Sequence, residues 1–309
     1  MPERRGPRNR SIPIRGLTAL FAGVVLGAVL VYAQEPRQRP EEPAGGPPRT
    51  GEQAPAPDGQ AAVDPKLAER VAANMQASMK RLGRYCWRQQ IVEEKITSSG
   101  GVSDSEERLE YVCHVDRVPI YKQLTINGKP TGQKAGDPWP EITDDANWRQ
   151  QVQRAAQRHE RYHQLIGQVP SAFNFAHVGE EMIEDRPVDI YHLTPKPGYR
   201  PVSRATEMLK HVEARAWVDR QAASVVRLEA AVLRDFNMWG GLALKVYKGG
   251  SYEIRQRPAG GVWLPYFAEE RYRARVALFK HIGYHQRVER SEFMPSQLRS
   301  KKVTKARTD

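Results

Sequence analysis

Apolar and polar side chains alternate with period two through most of the second half of the chain. In EARAWVDRQAASVVRLEAAV, residues 213–232, Ala214, Ala216 and Val218 share one face against Glu213, Arg215 and Asp219. After the turn DRQAA, Val226, Leu228, Ala230 and Val232 share a face against Arg227 and Glu229. The same alternation runs through FNFAHVGEEM and VDIYHLTP on either side of the turn IEDRP, and through LALKVY (242–247). Past the turn KGGS it places Tyr252 and Ile254 against Glu253 and Arg255, and in EERYRARVALF it places Tyr272, Ala274, Val276 and Leu278 against Arg271, Arg273 and Arg275. Pro265 in VWLPYF marks a bulge or an edge strand, since proline cannot donate to a ladder. Closely spaced strands with short turns and no interposed helices predict an antiparallel meander. With one face apolar, that sheet must curl round something.

Two helices are candidates for what it encloses. Asp64-Pro65 is a good helix start, and Leu67, Val71, Met75, Met79 and Leu82 follow at helical spacing, predicting an amphipathic helix over about 65–82. The polar stretch DDANWRQQVQRAAQRHERYHQLIG, 144–167, reads as a second helix. The expected fold class is α+β: an open, strongly curved antiparallel sheet, an incomplete β-barrel, covered by one or two α-helices.

The termini change the picture of where this domain works. Arg4, Arg5, Arg8, Arg10 and Arg15 precede GLTALFAGVVLGAVLVYA, residues 16–33, which carries no charge. A basic flank, an apolar run and Val31 and Ala33 at the −3 and −1 positions read as a secretory signal over 1–33. Uncleaved, the same run would serve as a membrane anchor with the remainder exported. The Pro-, Gly- and Gln-rich residues 34–63 offer too little apolar surface to fold and read as a disordered linker. The folded domain is expected over 64–297, with 144–167 as a helical insertion and 298–309, LRSKKVTKARTD, as a basic disordered tail. Part of the net charge of +12 sits in the basic termini and the remaining excess is spread among acids, so nucleic acid is not indicated as a partner.

An oxidising compartment also bears on the cysteines, Cys86 and Cys113. If Ser99-Gly100 form the centre of the SSGG turn, paired residues have indices summing to 199, which sets the two cysteines opposite each other for a cross-strand disulfide. A slipped register, or a longer loop through VSDSEE, would leave two separate thiols.

One motif carries chemistry. His159-Glu160-Arg161-Tyr162-His163 matches H-E-x-x-H, in which two histidines on one helical face hold zinc and the glutamate deprotonates a bound water. A third ligand would have to come from Glu181 or Glu184. Arg158 and Arg161 set positive charge beside the histidines, and Val169 stands where the longer motif has a third histidine. The segment therefore reads first as an arginine-rich surface helix, with a zinc-dependent hydrolase as the alternative. No catalytic triad or phosphate loop is visible, and the first reading is of a protein that is not an enzyme and needs no cofactor.

VDIYHLTPKP (188–197), EARAWVDRQAASVVRLEA (213–230) and GGVWLP (260–265), behind a helix and a secretory signal, resemble the LolA/LolB superfamily of outer-membrane lipoprotein carriers, over roughly 65–293. The resemblance implies an open half-barrel lidded by helices, holding acyl chains non-covalently in a periplasmic, envelope-facing concavity. Its partners would be lipid acyl chains or lipidated protein, with an envelope protein as a further possibility and membrane association through 16–33 if that run is retained. The expected lining is Leu242, Leu244, Val246, Tyr252, Ile254, Tyr272, Val276 and Leu278, with Met75 and Met79 from the lid. The competing expectation is that these side chains fill an ordinary core, leaving an envelope scaffold or interaction module.

Overall fold

The computed structural model describes residues 65–238, 244–276 and 280–302. The expected signal over 1–33, the linker over 34–63, Asp64, Leu242, Leu278 and residues 303–309 of the tail lie outside the described residues.

The first helix, α1, spans Pro65–Leu82 and closes on Lys80 and Arg81, whose charges suit the negative end of the helix dipole. It is followed by β1 (Tyr85–Ile96), β2 (Val102–Val115), β3 (Val118–Ile126), the short β4 (Lys129–Pro130) and β5 (Thr143–Asp144). The second helix, α2, covers Ala146–Ala172. Asp145 caps it by accepting from the Trp148 amide at 2.8 Å. It runs five residues beyond the expected end at Gly167, through Pro170, because Leu165, Ile166 and Ala172 are buried and packing outweighs the local stop signals. The remaining elements are β6 (Phe173–Ile183), β7 (Arg186–Pro195), a short α3 (Arg204–Glu207) with a 3-10 turn (Met208–Lys210), β8 (Val212–Asp219), β9 (Ser224–Val232), β10 (Phe236–Met238), β11 (Leu244–Val246), β12 (Ser251–Ala259), β13 (Val262–Val276), β14 (Lys280–Pro295) and β15 (Lys301–Lys302).

Thirteen of the strands form one sheet in the order β4-β3-β2-β1-β14-β13-β12-β9-β8-β7-β6, with the β10–β11 pair attached to β13. All of its pairings are antiparallel and its two edges do not meet, so the sheet is open and curved around α1 and α2. A parallel pair, β15 with β5, straps the C-terminal segment near the start of α2. The core under the helices includes Leu82, Trp87, Ile91, Val112, Leu165, Leu264 and Val288.

Turn chemistry follows the sequence closely. Glu184 and Asp185 take φ of 47° and 61° in the two-residue β6–β7 turn, the left-handed pair that matches strand twist. Pro265 sits at a bulge, where the register between β12 and β13 shifts, inside the sheet and not at its edge. The SSGG turn closes one residue earlier than expected: the Gly100 amide bonds to the Thr97 carbonyl at 3.0 Å, which makes Ser98-Ser99 the central pair. Gly100 takes φ of 89°, and a bulge at Ile96 absorbs the difference. Beyond the bulge Trp87 pairs with Val112, restoring the expected register, and Cys86 and Cys113 are joined in a disulfide.

Candidate functional site

An apolar cleft lies between the two helices and one half of the sheet. Leu67, Ala68, Val71, Ala72 and Met75 of α1 and Leu165, Ile166 and Val169 of α2 roof it. Its floor is the β8–β9 hairpin, with Val212, Ala214, Ala216 and Val218 on β8 and Val225 and Leu228 on β9. Phe173 and Phe175 of β6, Tyr191 and Leu193 of β7, and Leu209 close the remaining side.

The floor is deep for a simple reason: Ala214 and Ala216 stand between two valines, and Ala214 pairs with Ala230 across the strands. The inward positions of β8 from residue 212 to 218 span about 20 Å at the usual strand rise. The cleft is narrow, with a cavity volume of about 60 Å³ inside about 810 Å³ of space that includes its open mouth. Tyr191 carries the one polar side-chain atom on this wall. Burial, and then Asp189, push its hydroxyl up to about 12, so it remains protonated.

The residues expected to line a concavity fall in several places. Met75 is on the roof of the cleft, whereas Met79 is buried beside a smaller gap next to Leu82, Tyr162 and Ile254. Leu244, Val246, Tyr252, Ile254 and Tyr272 are buried in the core under the other half of the sheet and are not on the cleft wall. Val276 ends β13. The expected lining omits the hairpin residues that make the floor. The signal that could have found them is the run of alanines on the apolar face at 214, 216 and 230.

That other half carries a buried polar row. Tyr252 pairs with Glu270, Glu270 with Gln286 and Gln286 with Glu93 across four strands. Gln286 donates to Glu93 at 2.7 Å and to the Tyr284 hydroxyl at 2.8 Å, and Arg108 reaches Glu93 at 2.7 Å. Glu270 is only 2% exposed, and neither its Oε1 nor the Tyr252 hydroxyl has a hydrogen-bond partner among the described residues. Burial, with Glu93 nearby, pushes the Glu270 carboxyl up to about 8. It is neutral at pH 7.

The H-E-x-x-H pair lies on one face of α2, with the His159 and His163 rings 4.5 Å apart between centroids. Glu160 is turned away to accept from Gln164. Glu181 accepts from the Trp217 indole at 2.8 Å, and Glu184 is in the β6–β7 turn. Among the described residues no carboxylate, cysteine or further histidine joins this pair as a third ligand. The geometry of a zinc hydrolase is therefore not assembled there. His177, Glu180 and Asp189 do cluster, yet both carboxylates are already ion-paired with Arg220.

No family model matches the chain, and no curated protein matches it. Among solved structures it is similar to a DUF1329 family protein from Desulfovibrio piger, at 14% identity and a TM-score of 0.31, over 76% of this chain and 95% of that one. It is similar to a protein from Vibrio parahaemolyticus assigned provisionally as an outer membrane lipoprotein-sorting domain, at 10% identity and a TM-score of 0.32, over 74% of this chain and 94% of the other. A LolA superfamily protein from Nitrosomonas europaea matches at 10% identity and a TM-score of 0.27, over 75% of this chain and 93% of that one. These are loose superpositions.

Proposed function

We propose that the chain binds acyl chains, of free lipid or of a lipidated protein, non-covalently in the cleft between α1, α2 and the β8–β9 hairpin, and that it does so after export to the periplasm. The observation supporting this reading is the cleft itself. Its wall is apolar apart from one tyrosine hydroxyl, and its floor is kept low by two alanines. Each methylene withdrawn from water contributes about 0.8 kcal/mol, so a long acyl chain laid along the 20 Å floor would gain about 10 kcal/mol before ordering costs. Among the described residues the Tyr191 hydroxyl, held protonated, is the one titratable group on the wall, which suits carriage without covalent chemistry. The free space is narrow for such a guest, so uptake requires α1 and α2 to move apart.

The test is native mass spectrometry of the exported protein beside Ala216→Phe, which fills the floor. A lipid-sized mass on the wild type, lost on organic extraction and absent from the variant, is the expected result. A wild type with no lipid mass, or a variant that carries the same mass, would overturn the reading.

A further inference from the structure

The seam between α1 and α2 holds two groups that the acyl-binding reading does not use. His159 and His163 lie one turn apart, half-buried, their rings tilted 36° to each other, and the Nε2 atom of each is enclosed without a hydrogen-bond partner among the described residues. The same stretch of seam carries a direct tie between the helices, Gln76 of α1 donating to the His163 carbonyl at 2.9 Å. A buried ring nitrogen without a partner is tolerable only while the imidazole is neutral, because burying a charge without a counter-charge is costly.

Among the described residues the surroundings set two cations and a single exposed carboxylate against the pair. Lys80 faces the pair from the last turn of α1. Arg117 faces it from the β2–β3 turn, where it takes φ of 68° and stands over Gly83 just past α1. The one nearby carboxylate, Glu160, is on α2 itself, exposed and engaged by Gln164. Burial, then the neighbouring imidazole and Arg117, push His159 down to about 4, and burial also lowers His163. At neutral pH both rings are uncharged and the seam is closed.

We propose that this pair is an acid-operated catch on the helical cover: when His159 and His163 take up protons, α1 and α2 part along the seam and the cleft beneath them opens. Two new positive charges then lie side by side against Lys80 and Arg117, and separation of the helices is the way to rehydrate them. Met75 and Val71 of α1 and Ile166 and Val169 of α2 roof the cleft on the two sides of this seam. Release of a guest on acidification rests on the acyl-binding reading; the parting of the helices does not.

The experiment measures the helices directly. The only cysteines of the chain are disulfide-bonded, so nitroxide labels at Ala73→Cys and Ala156→Cys, exposed positions on α1 and α2, are specific without reduction. Pulsed electron resonance on the full chain should show one short distance at neutral pH and a longer population that becomes the majority as pH falls through about 5. A label pair across β13 and β14 should hold its distance over the same range, separating opening from unfolding. In His159→Gln/His163→Gln the longer population should not appear. Lys80→Glu places a carboxylate on the pair and should likewise keep the seam closed in acid, which preserves the test if the double variant fails to fold. A wild-type distance that ignores pH, or a double variant that opens as the wild type does, would overturn the catch. A dansyl-labelled fatty acid in the same samples reports the cleft. Release in step with the helix distance supports coupling of catch and guest, whereas failure to bind at neutral pH refutes the acyl reading and leaves the helix measurement standing.

Discussion

Replacing Glu270 by glutamine should stabilise the protein, and by an amount that grows with pH. The carboxyl is fully enclosed between Tyr252 and Gln286, and its Oε1 is unpartnered. Burial raises it from the ordinary 4.5 to about 8. An acid whose folded value is raised holds its proton longer in the fold than in the unfolded chain. Its full contribution is present below pH 4.5 and is lost as pH rises toward 8. Each pH unit in that window costs about 1.4 kcal/mol. At pH 7 the wild type has therefore lost about 3 kcal/mol, rising to about 5 kcal/mol above pH 8. Glutamine keeps the volume and cannot ionise, so Glu270→Gln escapes this loss. Guanidinium unfolding of both proteins at pH 5, 6, 7 and 8 should give a difference under about 1 kcal/mol at pH 5 and about 3 kcal/mol at pH 7. In melting temperature the pH 7 difference is roughly 6–12 °C for a domain of this size. A difference that does not vary with pH would refute the reasoning. So would a variant less stable than wild type at pH 7, since that would mean Glu270 is ionised and paired in the fold.

Three further outcomes are expected. Replacing both Cys86 and Cys113 by serine should lower unfolding stability by about 3–4 kcal/mol, from the loop that the bridge closes over a separation of 27 residues; denaturant titration with and without reductant checks it, since reductant should affect only the wild type. Gly283→Val should cost about 2 kcal/mol or more, because a Cβ there would lie 2.3 Å from the Ile96 carbonyl oxygen on the paired strand; a thermal melt that matches wild type would contradict the close approach. Asp145→Ala should cost about 1 kcal/mol through the lost cap on α2, and amide exchange should speed up in the first turn of that helix and not in the sheet.

Much of the architecture was legible in the sequence because period-two and period-3.6 patterns specify which face is buried. The strands from Phe173 onward, α1 over Pro65–Leu82 and the cysteine register all follow from such local rules. What the pattern could not convey is emptiness. Tyr252, Ile254 and Tyr272 have the same alternation as Ala214 and Ala216, yet the first three fill a core and the last two lie beneath a gap. Packing of distant elements makes that difference, and side-chain size is its one local trace. The buried Glu270 is harder to see: in EERYRARVALF it sits on the apolar side of the alternation, in line with Tyr272, where a carboxylate gives no apolar signal. The H-E-x-x-H spacing correctly placed two histidines on one face of a helix, but a third ligand depends on the tertiary path of β6, which carries Glu181 to Trp217 instead.

The sheet's middle seam joins β1 to β14, with Tyr85 opposite Pro295. The two arms of the sheet thus meet through the most sequence-distant contact in it, and loop closure on that scale is slow to form. A chain emerging N-terminus first has β1 and β2 available early, while the strand that must lie beside β1 arrives almost last. Until it does, β1 presents an open edge with Ile91 and Trp87 uncovered on one side. A chain stopped before residue 280 could form two partial sheets but not their union. The order of the strands therefore makes synthesis of β14 the precondition for joining the two arms of the sheet, whatever each arm has formed before it arrives.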